Sequence, residues 1–216
     1  MKASVIALYD LPESMEAATS ATQSAIEHGL DASLFRAIPA DYARNSMAWA
    51  GLTLAYYDTR FSRVEATIGC FMSHFALWGE VVAAGEPRVI LEHDALVMAP
   101  VPVYFSGHIV NLGRPSYGLW RRQAEPGEYP LFSKKGEHFP GTHAYYVTPH
   151  GAAALIAKAK EVGVMPADLF ISAERFPGAL TEVYPWPIKS ADTFTTVQLK
   201  RGCLAKRAYG SKYKIL

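Results

Sequence analysis

The sequence has few cysteines, no long apolar run and no glycine-rich phosphate loop. Its two cysteines, Cys70 and Cys203, lie too far apart for a metal-binding spacing or a disulfide framework. The apolar runs are short and broken by charges, which predicts no membrane span, and the apolar stretch at the N-terminus is too short for a signal peptide. The missing phosphate loops count against kinases and dinucleotide-binding enzymes. A cytoplasmic location is the resulting expectation.

What is present is the composition of one globular domain. Half of the 216 residues are hydrophobic and 19% are charged, enough for a full core in a single domain. The net charge of +1 is unevenly distributed: residues 200–216 carry six basic residues and no acid, and the other 15 basic and 20 acidic residues give −5. This basic tail could contact nucleic acid, anionic lipid or nucleotide phosphates, and a solvated terminus is the simpler interpretation.

Strand and helix patterns alternate along the chain and predict an α/β domain with a mostly parallel sheet. The predicted strands cover residues 3–9, 32–38, 86–95, 108–112, 117–120 and 143–148. The predicted helices cover residues 13–28, 64–85 and 166–174, with a further helix beginning at Pro149.

Two local features accompany this pattern. Ser62 and Glu65 have the spacing of a capping box in front of the second helix, with Thr67 as the alternative N-cap. Residues 121–141 are polar and rich in glycine and proline, which predicts a long loop that is either functional or disordered.

The stretch 89–95, VILEHDA, places Glu92, His93 and Asp94 at the end of a predicted buried strand. Ligands of open α/β sheets bind at the carboxyl ends of the strands. Two neighbouring acids repel each other unless protons or a cation neutralise them, and oxygen ligands with an imidazole suit Mn²⁺ or Mg²⁺. An ordinary turn, with Asp94 as its turn residue, explains the same three residues.

The wider pattern resembles glycosyltransferase family 25, the lipopolysaccharide-type and collagen-galactosyltransferase-like glycosyltransferases. Family members show a helix like GCxxSHxxLW followed by an apolar strand that ends in an acidic triplet, usually LEDD. The counterparts here are GCFMSHFALW at 69–78 and LEHD at 91–94. Two later segments, GTHAYYVTPHGAAAL at 141–155 and PADLFIS at 166–172, are also similar to family segments, in the same order.

The resemblance implies a GT-A fold over residues 1–200: a Rossmann-like, mostly parallel sheet flanked by helices, followed by a basic C-terminal tail at 201–216. It implies a hexosyltransferase-like enzyme that binds a nucleoside-diphosphate sugar and a saccharide acceptor, with Mn²⁺ or Mg²⁺ at the diphosphate. It also implies inversion, in which a carboxylate base takes the proton from an acceptor hydroxyl that attacks the anomeric carbon.

Two positions depart from the family pattern. His93 stands where a second aspartate is usual, which removes a negative charge and a hard oxygen ligand. The first strand is followed by ALYDLPES rather than by an Asn-Leu-Asp-Arg-like segment, so Asp10 is a loose match and the arginine is missing. Both departures bear on the choice of donor and on the metal.

The resemblance and the strand-end chemistry together suggest roles on the donor side. Asp94 is the first candidate for a metal ligand and His93 the second. Asp10, Ser73, Glu92 and His93 are the candidates for binding the donor nucleotide. Ser73 lies in the middle of a helix, where serine is unfavourable unless packing or function requires it.

The catalytic candidates are His74 and Asp168. His74 could act near the nucleotide or metal, or could be a satisfied histidine of the core. Asp168 is the leading candidate for the general base, and its structural alternative is capping the helix that follows. Glu174 and Asp192 are the competing bases.

Three residues are candidates for the acceptor side: Thr142, His143 and Trp120. Thr142 and His143 precede a predicted strand. Trp120 could stack on a sugar, although tryptophan is commonly buried for its area alone.

Three alternatives remain open at the level of sequence. The same chemistry could act on a nucleic-acid base, as in phage-type DNA hypermodification, and the basic tail is the motive for that variant. A catalytically degenerate relative could bind nucleotide or glycan without turnover. A different α/β nucleotide-binding enzyme could share the acidic strand end by chance.

Overall fold

The computed structural model describes residues 1–115, 125–131, 139, 142–191 and 194–200. Its strands are β1 (Lys2–Ala7), β2 (Asp31–Arg36), β3 (Arg88–Glu92), β4 (Ala95–Val97), β5 (Ile109–Asn111), β6 (Gly113–Arg114), β7 (Gly127–Pro130), β8 (Ala144–Val147), β9 (Leu180–Tyr184) and β10 (Ile188–Ser190). Its helices are α1 (Pro12–Glu27), α2 (Ala40–Trp49), α3 (Val64–Ala84), α4 (Pro149–Val162) and α5 (Ala167–Phe170), with a 3-10 turn at Thr59–Phe61.

Seven strands form the main sheet in the order β2-β1-β3-β8-β5-β9-β7. The pairs β1–β2, β1–β3 and β5–β9 are parallel, whereas β8 runs antiparallel to both of its neighbours and β7 antiparallel to β9. The α/β class and the single domain predicted from the sequence are confirmed. The sheet is mixed, because β8 returns through its centre in the opposite direction.

Two apolar layers cover the main sheet. One face packs against α3 and α4 around Trp78, Tyr145 and Phe170, all of which are buried. The other face packs against α1 and a small sheet of β4, β10 and β6. Because both faces are covered, the ends of the strands are the surface that the main sheet leaves for binding.

Within the described residues, most of the predicted elements are found with small shifts at their ends. Gly29 follows α1 and Gly85 caps α3, both with the positive φ that glycine adopts without strain. The predicted 166–174 helix is reduced to the four residues of α5. Helix α2 was not predicted. It buries only Ala43 and is held by contacts with α3, such as the ion pair of Arg44 with Glu65, which lie outside its own sequence.

The capping-box prediction is wrong. Helix α3 begins one residue later than the box requires, with Arg63 as N-cap and no side-chain cap hydrogen bond. Ser62 instead forms a β-bridge with Gln198, and Glu65 binds Arg44 of α2. Thr67, the alternative cap, lies inside the helix and donates to the Arg63 carbonyl. Tertiary contacts override the local signal here.

Helix α3 also bears on the prediction of no membrane span. By length and composition alone it is apolar enough to cross a membrane, and 56% of its most apolar window is buried inside the protein. A core helix of a globular domain passes the same test, so the helix is weak support for a span.

The polar segment predicted as one long loop contains a strand. Residues 127–130 form β7, which pairs with β9 at the edge of the main sheet. The predicted strand at 117–120 and the tail at 201–216 lie outside the described residues.

Candidate functional site

A cleft of ≈ 440 Å³ opens at the carboxyl ends of β1, β2 and β3. Helix α3 forms one wall, the ends of the strands form the floor, and a segment from late in the chain closes one side. Its lining includes Leu8, Ile38, Cys70, Ser73, His74, Glu92, His93 and Phe194. The cleft therefore brings the GCFMSH helix together with Glu92 and His93 of the strand end, whereas Asp94 is not part of its lining.

Gly69 and Ser73 hold α3 against the end of β2. A Cβ atom at Gly69 would collide with the carbonyl oxygen of Ile38, so only glycine allows this close approach. The Ser73 hydroxyl accepts the Ile38 N–H at 2.8 Å and donates to the Gly69 carbonyl at 2.7 Å. These bonds explain a buried serine in the middle of a helix, and they give Ser73 a positioning role beside the cleft.

His74 is fully buried and lies between an aromatic pair and an acid. Its Nδ1 is 3.0 Å from the hydroxyl of Tyr145, which also accepts the indole N–H of Trp78 at 2.8 Å. Its Nε2 has no hydrogen-bond partner of good geometry among the described residues, but lies 3.4 Å from Oε1 of Glu92. We regard the 3.4 Å contact as electrostatic, because the hydrogen-bond geometry is not met.

Glu92 is stabilised as a carboxylate. Its side chain is 28% exposed and its Oε1 accepts the Thr142 hydroxyl at 2.7 Å. Burial by itself raises the pKa of Glu92, but His74, the Thr142 hydroxyl and the charge of His143 together lower that pKa well below its ordinary value. The acid is therefore ionised at neutral pH.

Cys70 lies one helical turn before His74 and joins it at the cleft wall. The Cys70 sulfur, a His74 ring nitrogen and a Glu92 oxygen all lie within 4.8 Å of one another. Burial, followed by the charges of Glu92, Asp168 and Asp94, raises the pKa of the Cys70 thiol well above its ordinary value. The thiol is protonated at neutral pH when no cation competes for it.

Asp94 faces the small sheet. Its Oδ2 accepts the hydroxyl of Ser190, and its backbone carbonyl accepts the N–H of Ala191 at 2.8 Å. Its Oδ1 is buried and has no hydrogen-bond partner within the described part of the chain. A buried carboxylate oxygen without a donor is costly unless a cation or another ligand meets it, so the residue fits the predicted metal role.

His93 is held in place by two contacts across the chain. Its Nδ1 is 2.9 Å from the hydroxyl of Ser14, which itself accepts the N–H of Leu8. Its ring stacks on Phe194 with a centroid separation of 4.9 Å and an interplanar angle of 14°. Nδ1 is therefore engaged, and a role toward a metal or donor falls to Nε2.

The other predicted residues lie around the cleft rather than inside it. Asp10 is exposed and 3.5 Å from Arg36 in an ion pair at the end of β2, and it does not line the cleft. Asp168 lies in the first turn of α5, where its carboxylate accepts the N–H of Leu169. It is close enough to Cys70 to influence the thiol electrostatically, but it is not part of the cleft wall.

The predicted acceptor-side residues separate in the structure. Thr142 binds Glu92. The buried His143 ring packs on Gly113, where a Cβ atom would collide with it. Trp120 and Asp192 lie outside the described residues.

Among the residues that escaped the sequence-based selection, Arg63, Cys70 and Phe194 line the cleft, and Ser14 contacts His93 beside it. Arg63 donates to the carbonyls of Thr195 and Thr196, which fixes the late segment against the cleft. Only Cys70 carried a usable signal, because its spacing of four residues from His74 puts both side chains on one face of a helix.

The sequence is similar to that of known proteins. Residues 11–101 match the model of Glycosyltransferase family 25 (LPS biosynthesis protein). Inactive glycosyltransferase 25 family member 3 of Mus musculus is 28% identical over 138 residues, covering 57% of this chain and 23% of the relative. Probable inactive glycosyltransferase 25 family member 3 of Rattus norvegicus is 26% identical over 138 residues, covering 57% and 24%. The chain thus spans about a quarter of the length of these relatives.

Among solved structures, the inositol-1-phosphate CTP transferase from T. maritima is similar at 12% identity and a TM-score of 0.43, with 84% of each chain covered. A likeness at this level carries no argument about function. The matched segment 11–101 contains α1, α2, α3, β3 and the Glu92–Asp94 strand end. By this family match and this homology, the chain is similar to glycosyltransferase family 25 over residues 11–101.

Proposed function

We propose that the protein transfers a sugar from a nucleoside-diphosphate sugar to a saccharide hydroxyl, with a divalent cation at the donor diphosphate and inversion at the anomeric carbon. The family supports a glycosyltransferase in general terms. The observation that carries the proposal is the cleft, because its walls hold the GCFMSH helix together with Glu92 and His93 of the strand end. Its ≈ 440 Å³ lies within the range of small-molecule sites.

The lining of the cleft suits a nucleotide. Ile6, Leu8, Ala37 and Ile38 form an apolar side for a base, and Glu92 and His93 lie at the polar end. Arg63 places a positive charge at the rim. A positive group near the strand ends attracts phosphate. Arg63 would thus take the place of the arginine in the family's Asn-Leu-Asp-Arg-like segment, which this chain lacks.

Asp94 and His93 would hold Mn²⁺ or Mg²⁺, with Asp94 offering its unpartnered Oδ1. When bound, such a cation neutralises charge on the diphosphate leaving group. Asp94 is kept in place by Ser190, and His93 by Ser14 and Phe194. The chain thus supports both side chains before any ligand arrives.

The reaction requires a base in reach of the acceptor hydroxyl. The base takes the hydroxyl proton, the acceptor oxygen bonds to the anomeric carbon, and the bond from that carbon to the diphosphate oxygen breaks with its electron pair on the diphosphate. Asp168, in the first turn of α5, remains the proposed base. Glu174 is exposed in the segment that follows α5.

A second candidate function is binding without turnover. The two curated relatives are named inactive and probable inactive, and His93 replaces an acid at the strand end. In this alternative the cleft binds a nucleotide or glycan and transfers nothing. The nucleic-acid variant has only the 201–216 tail as its motive, and that tail lies outside the described residues.

A thermal-shift panel of UDP-, GDP-, CMP- and dTDP-sugars, each with and without Mn²⁺, tests the proposal. A ligand that binds only the folded state raises the melting temperature by mass action. We expect one donor to stabilise the protein more with Mn²⁺ than without it, and donor turnover to accompany that shift. No shift with any donor would remove the transferase proposal. A shift without turnover would favour the binding alternative.

The matched control is a pair of aspartate-to-asparagine variants. Asp94→Asn should lose the Mn²⁺-dependent part of the shift, whereas Asp31→Asn, at the exposed start of β2 and remote from the cleft, should retain it. Equal shifts in both variants would remove Asp94 from the proposed metal site.

A further inference from the structure

We infer that Cys70, His74 and Glu92 form a second metal site, for a soft or borderline divalent ion such as Zn²⁺, in the inner wall of the cleft. This site is separate from the Asp94–His93 pair and does not rest on the proposed transferase activity. It is carried by three ligand atoms, a sulfur, a nitrogen and an oxygen, that lie within 4.8 Å of one another.

Two elements bring these ligands together. Cys70 and His74 are four residues apart on α3, so their side chains lie on one face of the helix. Glu92 is the last residue of β3 and points at the same face, with Oε1 3.4 Å from Nε2 of His74. Helix and strand both have fixed backbones, which favours precise placement of ligands.

The His74 ring provides a second observation that points to a bound ion. His74 is fully buried, and its Nε2 has no hydrogen-bond partner within the described residues although it is aimed at Glu92. A buried ring nitrogen without a partner is uncommon. A cation between Nε2, the Glu92 oxygen and the Cys70 sulfur would satisfy all three atoms at once.

The surroundings of the cluster resemble the outer partners of a metal site. Metal-binding histidines usually use their second ring nitrogen to donate to a neighbouring oxygen, and metal-binding carboxylates are usually hydrogen-bonded as well. Here the Tyr145 hydroxyl lies 3.0 Å from Nδ1 of His74, and the Thr142 hydroxyl donates to Glu92 at 2.7 Å.

Occupation of the site sets the tautomer of His74. A metal on Nε2 leaves the ring proton on Nδ1, and the Tyr145 oxygen then accepts from both Nδ1–H and the Trp78 indole N–H. Cys70 gives up its thiol proton on binding, and Glu92 binds as the carboxylate that it already is.

The ligand set selects the ion. Thiolate with imidazole favours zinc-like ions, whereas Mg²⁺ and Ca²⁺ prefer oxygen alone. Bonds of about 2.0–2.3 Å in a tetrahedral site put ligand atoms roughly 3.3–3.8 Å apart, so closure from separations of up to 4.8 Å needs an approach of about 1.5 Å at most. Three protein ligands leave a fourth position, and all three line the cleft.

Cobalt(II) titration of the full-length protein tests the inference. Co²⁺ replaces Zn²⁺ in such sites, and a cysteine ligand produces a thiolate-to-cobalt charge-transfer band in the near ultraviolet. We expect one equivalent of Co²⁺ to produce this band and Zn²⁺ to abolish it by displacement. Absence of the band in the wild-type protein would overturn the inference, whatever the variants do.

The two cysteines of the chain provide a matched pair. Cys70→Ser should abolish the band, and Cys203→Ser should retain it. Glu92→Gln should weaken Co²⁺ binding by at least the roughly 10–100-fold that loss of an outer partner costs. A band lost in Cys203→Ser and kept in Cys70→Ser would overturn the assignment.

Two further measurements separate the site from folding and from the other metal pair. In the wild-type protein, Zn²⁺ should slow the reaction of Cys70 with a thiol reagent, read by mass spectrometry, and equal rates with and without Zn²⁺ would contradict the site. Asp94→Asn should keep the cobalt band. Loss of the band there would mean that the ion binds at the strand-end pair instead.

Discussion

Glu92 and Asp94 stand two residues apart in one motif, yet their carboxylates meet different halves of the molecule. Glu92 faces α3, where Thr142 donates to it and His74 lies 3.4 Å away. Asp94 faces the small sheet, where Ser190 binds one oxygen and the other has no partner among the described residues. The first acid is electrostatically satisfied without a ligand, and the second is not.

This difference shows how one acidic motif can serve two purposes. A carboxylate whose hydrogen-bond partners are in place adds to the stability of the fold and keeps those partners. An acid with an open, buried oxygen costs stability, which is the usual mark of a position kept for function. The motif therefore divides into an acid that already has partners on α3 and near β8 and an acid whose open oxygen has none among the described residues.

The largest effect is expected at the open acid. Asp94→Asn removes the charge of the proposed metal ligand, so transfer activity should fall on the order of 10²–10³-fold, about 2.7–4 kcal/mol of transition-state stabilisation. Stability to urea should change by less than about 1 kcal/mol, because Ser190 can still donate to the amide oxygen. Comparing kcat/KM with urea unfolding checks both parts, and unchanged activity would contradict the division of the motif.

The hydrogen-bond network on the α3 side of the motif is disrupted most directly by a substitution at Tyr145. Tyr145→Phe leaves the Trp78 indole N–H and Nδ1 of His74 buried without a partner, which should lower the free energy of unfolding by about 2–3 kcal/mol. Tyr42→Phe, at a phenol that is mostly exposed, should stay within about 0.5 kcal/mol. Equal losses in the two variants would show that the buried network contributes nothing special.

A smaller effect is expected from Thr142→Val, which removes one donor from Glu92 at nearly constant volume. The free energy of unfolding should fall by about 1.5 kcal/mol at pH 7, and Thr142→Ser should restore it. The pKa of Glu92 is lowered in the folded state, so its stabilisation is present above the ordinary glutamate pKa and is lost as pH falls through the lowered one. The difference from wild type should therefore shrink in acid.

The smallest effect is expected at Glu128, an acid remote from the cleft. It serves as a reference for the comparison of Glu92 with Asp94. Glu128 accepts from Thr181 and from the N–H groups of Ser106 and Gly107. Burial raises its pKa, and these hydrogen bonds together lower it below the ordinary value. Glu128→Gln should cost about 1 kcal/mol at pH 7 after solvent screening.

The pH dependence follows the same sign for this reference acid. The cost of Glu128→Gln should be full above the ordinary glutamate pKa of about 4.3 and should vanish as pH falls through the lowered pKa. Urea unfolding at a series of pH values measures it. A cost that is constant down to strongly acidic pH would show that the charge of Glu128 is irrelevant to stability.

Much of the fold could be predicted because its signals are local. The apolar spacing along α3, the glycine after it and the apolar strand that follows are all visible in neighbouring residues. Helix α2 buries only Ala43, and its contacts with α3 are not visible in neighbouring residues. The antiparallel direction of β8 depends on its pairing with β3, which lies far away in the sequence. Strand propensity does not encode such pairing.

The site was predictable as a place but not as a set of contacts. The motif residues Ser73, His74 and Glu92 were selected from the sequence and do line one cleft. Their partners come from far along the chain: Tyr145 lies 71 positions after His74, and His93 lies 79 positions after Ser14. No spacing rule joins such pairs, so a buried hydrogen-bond network becomes visible only in three dimensions.

The stacking of Phe194 on His93, with Arg63 binding the carbonyls of Thr195 and Thr196, has a consequence for the timing of synthesis. The ribosome produces the floor and the α3 wall of the cleft within the first 94 residues, but the segment that closes its side emerges only about a hundred residues later. Domains fold as units during synthesis, beginning from the N-terminal side. The nascent chain therefore carries an incomplete cleft while about a hundred further residues are made, and the last wall is added only when the segment around Phe194 emerges.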